Sequence, residues 1–271
     1  GFVYSAARDG TPADTRIEAY EQAFALFACA WYHRASGDPD ALTWAKRTLA
    51  FLDENLADPA HGGYFENLPH DLPRRQNPHM HLLEALLALH GATADTAYLD
   101  RARVIVDLFR SRFLDGNTGT LGEFFEADWT PAPGTAGQTV EPGHHFEWAW
   151  LLRRYAEASG VDTGKEADAL YQFAMTHGSD HAPGPAQGLA FDSVLRSGAD
   201  PRLGHGTSLD DNKRLWVQTE AIKAQTARLE SGPDDLASAH LEILLERLFG
   251  LYLAVEDGNW QDHLDANGHG F

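Results

Sequence analysis

Five glycine-flanked aromatic turns divide this chain into four lengths of similar size. Tyr4, Tyr64, Phe124, Phe191 and Trp260 mark them, at steps of 60, 60, 67 and 69 residues. Between the marks the apolar period is helical. Residues 16–36 carry Tyr20, Phe24, Phe27 and Trp31 at three- and four-residue steps, and Gly37-Asp38-Pro39 stops that helix. A more amphipathic partner is expected over 40–57, with Trp44, Leu49 and Leu52 on its inner side. The pattern recurs at 77–90 with an outer helix ending near Phe113, at 143–159 with 163–177, and at 213–230 with 234–254. Asn77 reads as the N-cap of the second inner helix and Pro78 as its first residue. Gly1 to Gly10 is an alternating aromatic piece ending in an Asp9-Gly10 turn signal. A period of this length means stacked helical hairpins. The inner helices are apolar on nearly every side, which favours a ring around a filled centre over an open solenoid.

Charge and cysteine usage narrow the function. Forty acidic residues stand against 21 basic ones, a net charge of −19. That argues against nucleic acid and anionic membrane surfaces as partners. The single cysteine, Cys29, lies in an apolar helical run and reads as a small core residue, with no disulfide framework and no CxxC site. No apolar run approaches the ~20 residues of a membrane span. A chain opening at Gly1 without a leader pattern points to the cytoplasm. Nothing in the sequence signals an oligomeric state.

The first turns of the inner helices carry the chemistry. Glu141 supplies a carboxylate at the start of the third, where His144 and Glu147 are three apart and share one face. Two ionisable groups in a greasy helix are costly to bury, so they read as a functional pair, with a structural turn-capping pair as the competing reading. Tyr20 and Gln22 occupy the same place in the first helix, Asn77, His81 and Glu84 in the second, and Arg214, Trp216, Gln218 and Glu220 in the fourth. In a ring these ends converge on one face. Aromatic rings with polar groups between them suit a carbohydrate. Helix N-termini stabilise a developing enediolate and keep a nearby His neutral and basic. His79 and His81 are two apart and point different ways, and there is no His-Glu-x-x-His; the site therefore reads as metal-free and cofactor-free. An ion gathered by His81, His144, Glu147 and Glu220 is the lesser alternative. Trp148 and Trp150 read as packing, and His79, His145 and His90 as supporting or surface residues.

Asn77-Pro78-His79-Met80-His81-Leu82-Leu83-Glu84-Ala85 and Glu141-Pro142-Gly143-His144-His145-Phe146-Glu147-Trp148-Ala149-Trp150-Leu151-Leu152 resemble two signature helices of the N-acylglucosamine 2-epimerase superfamily. Arg214-Leu215-Trp216-Val217-Gln218-Thr219-Glu220 and Gly258-Asn259-Trp260 up to Leu264-Asp265 resemble two more. The resemblance implies an all-α fold, an (α/α)6-barrel-like toroid with short β-hairpins in its loops. It implies metal-independent sugar isomerases and epimerases that move a proton between C1 and C2, or off and back onto C2. The motif wording leans toward the mannose and sulfoquinovose isomerase branch. His144 would be the catalytic acid/base and Glu147 its neighbour. Asn77 and His81 would hold sugar hydroxyls or assist proton movement, and Glu220 would bind or polarise. Tyr20, Trp216 and Gln218 complete the expected substrate contacts, and the partner is a small-molecule sugar. The family barrel has twelve helices and eight are expected here. The resemblance therefore implies a single, incomplete toroid domain over 1–271, a second catalytic His and a substrate-binding Arg outside the stretch, and little activity from these residues alone.

Other readings stay open. The acylglucosamine and cellobiose epimerase branches share the proton chemistry. A helical ring can also cleave glycosidic bonds with paired acids, for which Glu147, Glu220 and Glu84 are candidates. A non-catalytic sugar-binding repeat module is the last, and buried His–Glu pairs suit it poorly.

Overall fold

In a computed structural model the chain is described at residues 1–200, 205–253 and 258–270, with side chains throughout except at 197–200 and 205–207. Eight α-helices lie among the described residues: α1 (Ala19–Ser36), α2 (Pro39–Asn55), α3 (Asn77–Thr93), α4 (Thr96–Leu108), α5 (Pro142–Ser159), α6 (Gly164–His177), α7 (Leu215–Glu230) and α8 (Asp235–Arg247). α4 and α8 each run on into one π-helical turn, Phe109–Phe113 and Leu248–Tyr252. The expected helix end at 254 and Asp257 of the last turn lie outside the described residues. The strands are mostly short pairs in the loops; one joins Ser5–Ala6 to Pro12–Asp14 around the expected Asp9-Gly10 turn.

Two compact units emerge. One comprises residues 1–114, 123–137 and 157–160, the other 115–122, 138–156 and 161–271. In the first, α1 packs on α2 and α3, and α3 on α4. Helix α3 buries Met80, Leu82, Leu83, Ala85, Leu86 and Leu89, which point to every side. Helix α2 starts where Asp38 accepts the Asp40 N–H and Pro39 needs no partner. Its buried face is Ala41, Ala45, Thr48, Leu49 and Leu52. Trp44, expected on that face, is 47% exposed and takes the Arg47 guanidinium 4.4 Å above its ring. Cys29, expected in the core, is half-buried on α1. The residue at the cap position of α3 is Gln76 and not Asn77; it makes no side-chain capping bond, and its amide donates to the buried Glu123 carboxylate at 2.9 Å.

One arrangement repeats in all four inner helices. A buried amide or imidazole near the helix start takes a backbone N–H from the preceding loop and meets the carbonyl four residues back. Gln22 accepts from Phe2 at 2.7 Å and donates to Glu18 O at 3.2 Å. His79 accepts from Tyr64 at 2.9 Å, its Nδ1 3.3 Å from Arg75 O. His145 accepts from Leu121 at 3.1 Å, its Nδ1 3.1 Å from Glu141 O. Gln218 accepts from Ala190 at 2.8 Å and donates to Arg214 O at 3.2 Å. All four side chains are at most 1% exposed. An imidazole can do this only as the neutral Nδ1–H tautomer, since Nε2 must accept.

Buried cations reinforce two of the loops. Arg74 reaches Asp58 Oδ2 at 2.6 Å and the carbonyls of Gly62, Tyr64 and Ala127, and lies 3.6 Å over Trp129. Lys213, five residues before Gln218 as Arg74 is before His79, reaches Asp180 Oδ2 at 3.2 Å and Asp211 O at 2.9 Å. Each buried cation is thus compensated by a carboxylate and by backbone carbonyls.

Since α1 and α7 use Gln where α3 uses His79, His79→Gln retains more stability than His79→Leu. The Leu variant orphans the Tyr64 N–H and loses about 1–3 kcal/mol by urea unfolding; equal losses would contradict the shared role. Burial, with Arg74 adding to it, pushes His79 from 6.5 down to about 3. The unfolded imidazole takes a proton below about 6.5, so His79 withdraws stability as pH falls from there toward 3. His79→Gln should flatten that limb of the stability–pH curve.

Candidate active site

Each unit carries its own set of chemical side chains at helix starts. In the first, Asn77, His81 and Glu84 lie along the beginning of α3. With Gln76 at the cap position, Asn77 Oδ1 is left buried with no hydrogen-bond partner among the described residues. A bare buried acceptor costs about 1–3 kcal/mol, and a ligand hydroxyl removes that cost. His81 Nδ1 lies 3.3 Å from Glu84 Oε2. A carboxylate there favours a proton on Nδ1. The Tyr20 ring meets the His81 ring edge-on at 5.1 Å, and Phe24 lies 4.6 Å from it.

The second unit holds His144, Glu147, Trp216 and Glu220. Thr139–Val140 pairs with Val194–Leu195, and this fixes the chain where α5 begins. His144 is 5% exposed, with Nδ1 3.6 Å from Glu141 Oε2 and its ring 5.3 Å from Trp216. The indole can lie there because residue 143 is glycine: a Cβ on Gly143 would stand 2.6 Å from the Trp216 ring. Arg214 faces the same indole at 5.3 Å and bonds Asp192 Oδ2 at 2.8 Å, with Glu141 Oε2 at 4.0 Å. Burial pushes the Asp192 carboxyl above the usual carboxylate range, and Arg214 pulls against it. Glu147 is 4% exposed. Glu220 Oε2 pairs with Lys223 Nζ at 2.7 Å.

Several expectations need revision. Gln218, expected among the sugar contacts, spends its amide on both the N–H and C=O of Ala190 and is fully buried. Trp148 is fully buried packing, whereas Trp150 is only half-buried and carries the Lys223 ammonium 4.0 Å over its ring. Glu141, read as a helix-start carboxylate, is the acid that meets the His144 ring; their i, i+3 spacing was the signal for it. Tyr20 meets His81 in the first unit, and Trp216 meets His144 in the second.

The family model described as N-acylglucosamine 2-epimerase (GlcNAc 2-epimerase) matches residues 1–271. The chain belongs to the N-acylglucosamine 2-epimerase family. Within that family it is 35% identical to a mannose-6-phosphate isomerase of Rhizobium meliloti, over 99% of this chain and 68% of the relative. It is 27% identical to a cellobiose 2-epimerase of Bacteroides fragilis, over 82% of this chain but 57% of the relative. It therefore spans little more than half the length of some relatives it matches. The fold is that of the cellobiose 2-epimerase of Bacillus thermoamylovorans, at TM-score 0.85 and 20% identity, over 100% of this chain and 70% of that one. A D-mannose isomerase structure matches at TM-score 0.82 and 23% identity, over 97% and 67%. A family 76 glycoside hydrolase matches at TM-score 0.69 and 12% identity, over 91% and 50%. The fold class is thus the expected all-α, (α/α)-toroid type, shared by epimerase-family and hydrolase enzymes alike.

Gly143→Ala should displace the Trp216 indole from His144. The expected cost is about 1–3 kcal/mol of overpacking, with a changed near-ultraviolet circular dichroism signal. A variant with wild-type stability and spectrum would refute the close approach.

Proposed function

We propose that this protein interconverts an aldose and its ketose, of the mannose–fructose kind, by proton transfer through a cis-enediol. The observation that carries the reading is His144: buried at the first turn of α5, backed at Nδ1 by Glu141 and covered by the Trp216 ring. Glu141 at Nδ1 leaves Nε2 as the basic nitrogen. With the sugar ring open, Nε2 takes the proton from C2; the C2–H electron pair forms the C1–C2 double bond, and the C1 carbonyl becomes the enediolate oxygen. Return of the proton to C1, with the O2 proton passing to O1, gives the ketose. Return to the opposite face of C2 gives the epimer instead. General acid–base steps of this kind contribute about 10²–10⁴-fold. The N-terminus of α5 favours the negative charge that develops.

The family resemblance assigns Glu147 beside His144, Asn77 and His81 to sugar hydroxyls, and Glu220 to binding or polarisation. Tyr20 and Trp216 offer ring faces. Asn77 Oδ1, buried without a partner, suits a hydroxyl donor. The names of the relatives support a sugar isomerase or epimerase; the Rhizobium relative, the more similar of the two cited, favours the isomerase side.

The test is proton NMR of D-mannose in D₂O with the complete gene product that carries these residues and with its His144→Ala variant. Fructose carrying deuterium, lost by at least 10²-fold in the variant, is the expected result. Glucose labelled at C2 before any fructose would move the assignment to epimerisation. Undiminished turnover by the variant would remove His144 from the reaction.

A further inference from the structure

A second row of side chains lies behind the first-turn residues. Counting five residues on from the buried Gln or His of each inner helix gives Phe27, Glu84, Trp150 and Lys223. Two of these engage the residue three before them. Glu84 holds His81 Nδ1 at 3.3 Å, and Lys223 holds Glu220 Oε2 at 2.7 Å. His81 and Glu220 occupy the same place in the repeat, two residues beyond His79 and Gln218. The chain thus uses one device twice with the charges exchanged: an acid behind a base in α3, a base behind an acid in α7.

We propose that Lys223 is a positioning residue for Glu220, holding that carboxylate ionised and in one rotamer for a sugar hydroxyl, with Trp150 holding the ammonium in place. The inference rests on the sugar-isomerase reading above and adds a residue to it. Three observations carry it. The Glu220 side chain is only 13% exposed, and the Lys223 ammonium lies 2.7 Å from its Oε2 as an ion pair whose angles fall short of a hydrogen bond. The Lys223 side chain is 32% exposed, yet its ammonium lies 4.0 Å over the Trp150 ring, which opposes its swinging out to solvent. Trp150 is itself the α5 member of the second row, three residues on from Glu147, so α5 and α7 meet in that row. An exposed i, i+3 ion pair contributes little; one shielded by an indole at a carboxylate assigned to substrate has a role in recognition.

The test combines Lys223→Met, Lys223→Arg and Glu220→Gln, singly and as the Met/Gln double variant, with mannose–fructose kinetics and equilibrium binding of D-mannose to each on a His144→Ala background. Lys223→Met should lower kcat/KM and weaken mannose binding by roughly tenfold, with the loss mainly in KM. Lys223→Arg should restore most of it. The double variant should be no worse than Glu220→Gln alone, because both changes break one interaction. Wild-type kinetics in Lys223→Met, or losses that multiply in the double variant, would overturn the assignment while leaving the isomerase reading intact. A loss tracked by a lowered urea midpoint and not restored by Arg would also overturn it. A wild-type protein that neither binds nor turns over these sugars would remove both.

Discussion

The backbone hydrogen bond from loop to inner helix is the constraint from which the rest follows. Each loop must turn back over a helix start, and its N–H would be buried without a partner. Gln22, His79, His145 and Gln218 each accept one. The same side chain meets the carbonyl four residues earlier, so loop and helix are fixed in one register. Every functional side chain discussed above is counted from that point. His144 is the residue before a latch; His81, Glu147 and Glu220 come two after one; Glu84, Trp150 and Lys223 come five after. Scaffold and chemistry therefore share a short stretch of helix, and adjacent histidines can have opposite duties. His145 must stay neutral with its lone pair on a backbone amide, while His144, proposed as the acid/base, meets the Glu141 carboxylate.

Polar economy near the helix starts follows the same logic. Arg74 and Lys213 each gather an aspartate and backbone carbonyl oxygen, Arg74 from two different loops. Their charges are consumed inside the scaffold. Arg214 is likewise drawn to Asp192. Among the acids and imidazoles at the helix starts, Glu84 lies beside His81, Glu141 beside His144 and Lys223 beside Glu220.

Helix positions were legible because Gly and Pro punctuate them: Gly37-Asp38-Pro39 and Pro142 set boundaries the structure keeps to within a few residues. The apolar encirclement of α3 likewise announced an inner helix. Side-chain duties were less legible. Periodicity says which face a residue shares but not which backbone group it meets, so Gln218 read as a sugar contact and His79 as a supporting residue. Trp44 sat at a core period yet lies outward with Arg47 on its ring, while Ala41 and Ala45 take the buried face of α2. Asn77 read as a cap because Asn-Pro commonly is one. In the structure the helix starts one residue earlier, and the long-range bond from Gln76 to Glu123 is invisible to local pattern.

The central claim is that a proton, not a hydride, leaves C2, and the fate of a label at that carbon tests it most directly. D-[2-²H]mannose would be converted in ordinary water and the fructose examined at C1 by deuterium NMR. Transfer through His144 predicts partial loss of deuterium to solvent, because an imidazolium exchanges its proton while the enediol waits. Complete retention of the label at C1 would indicate a hydride shift and contradict the account.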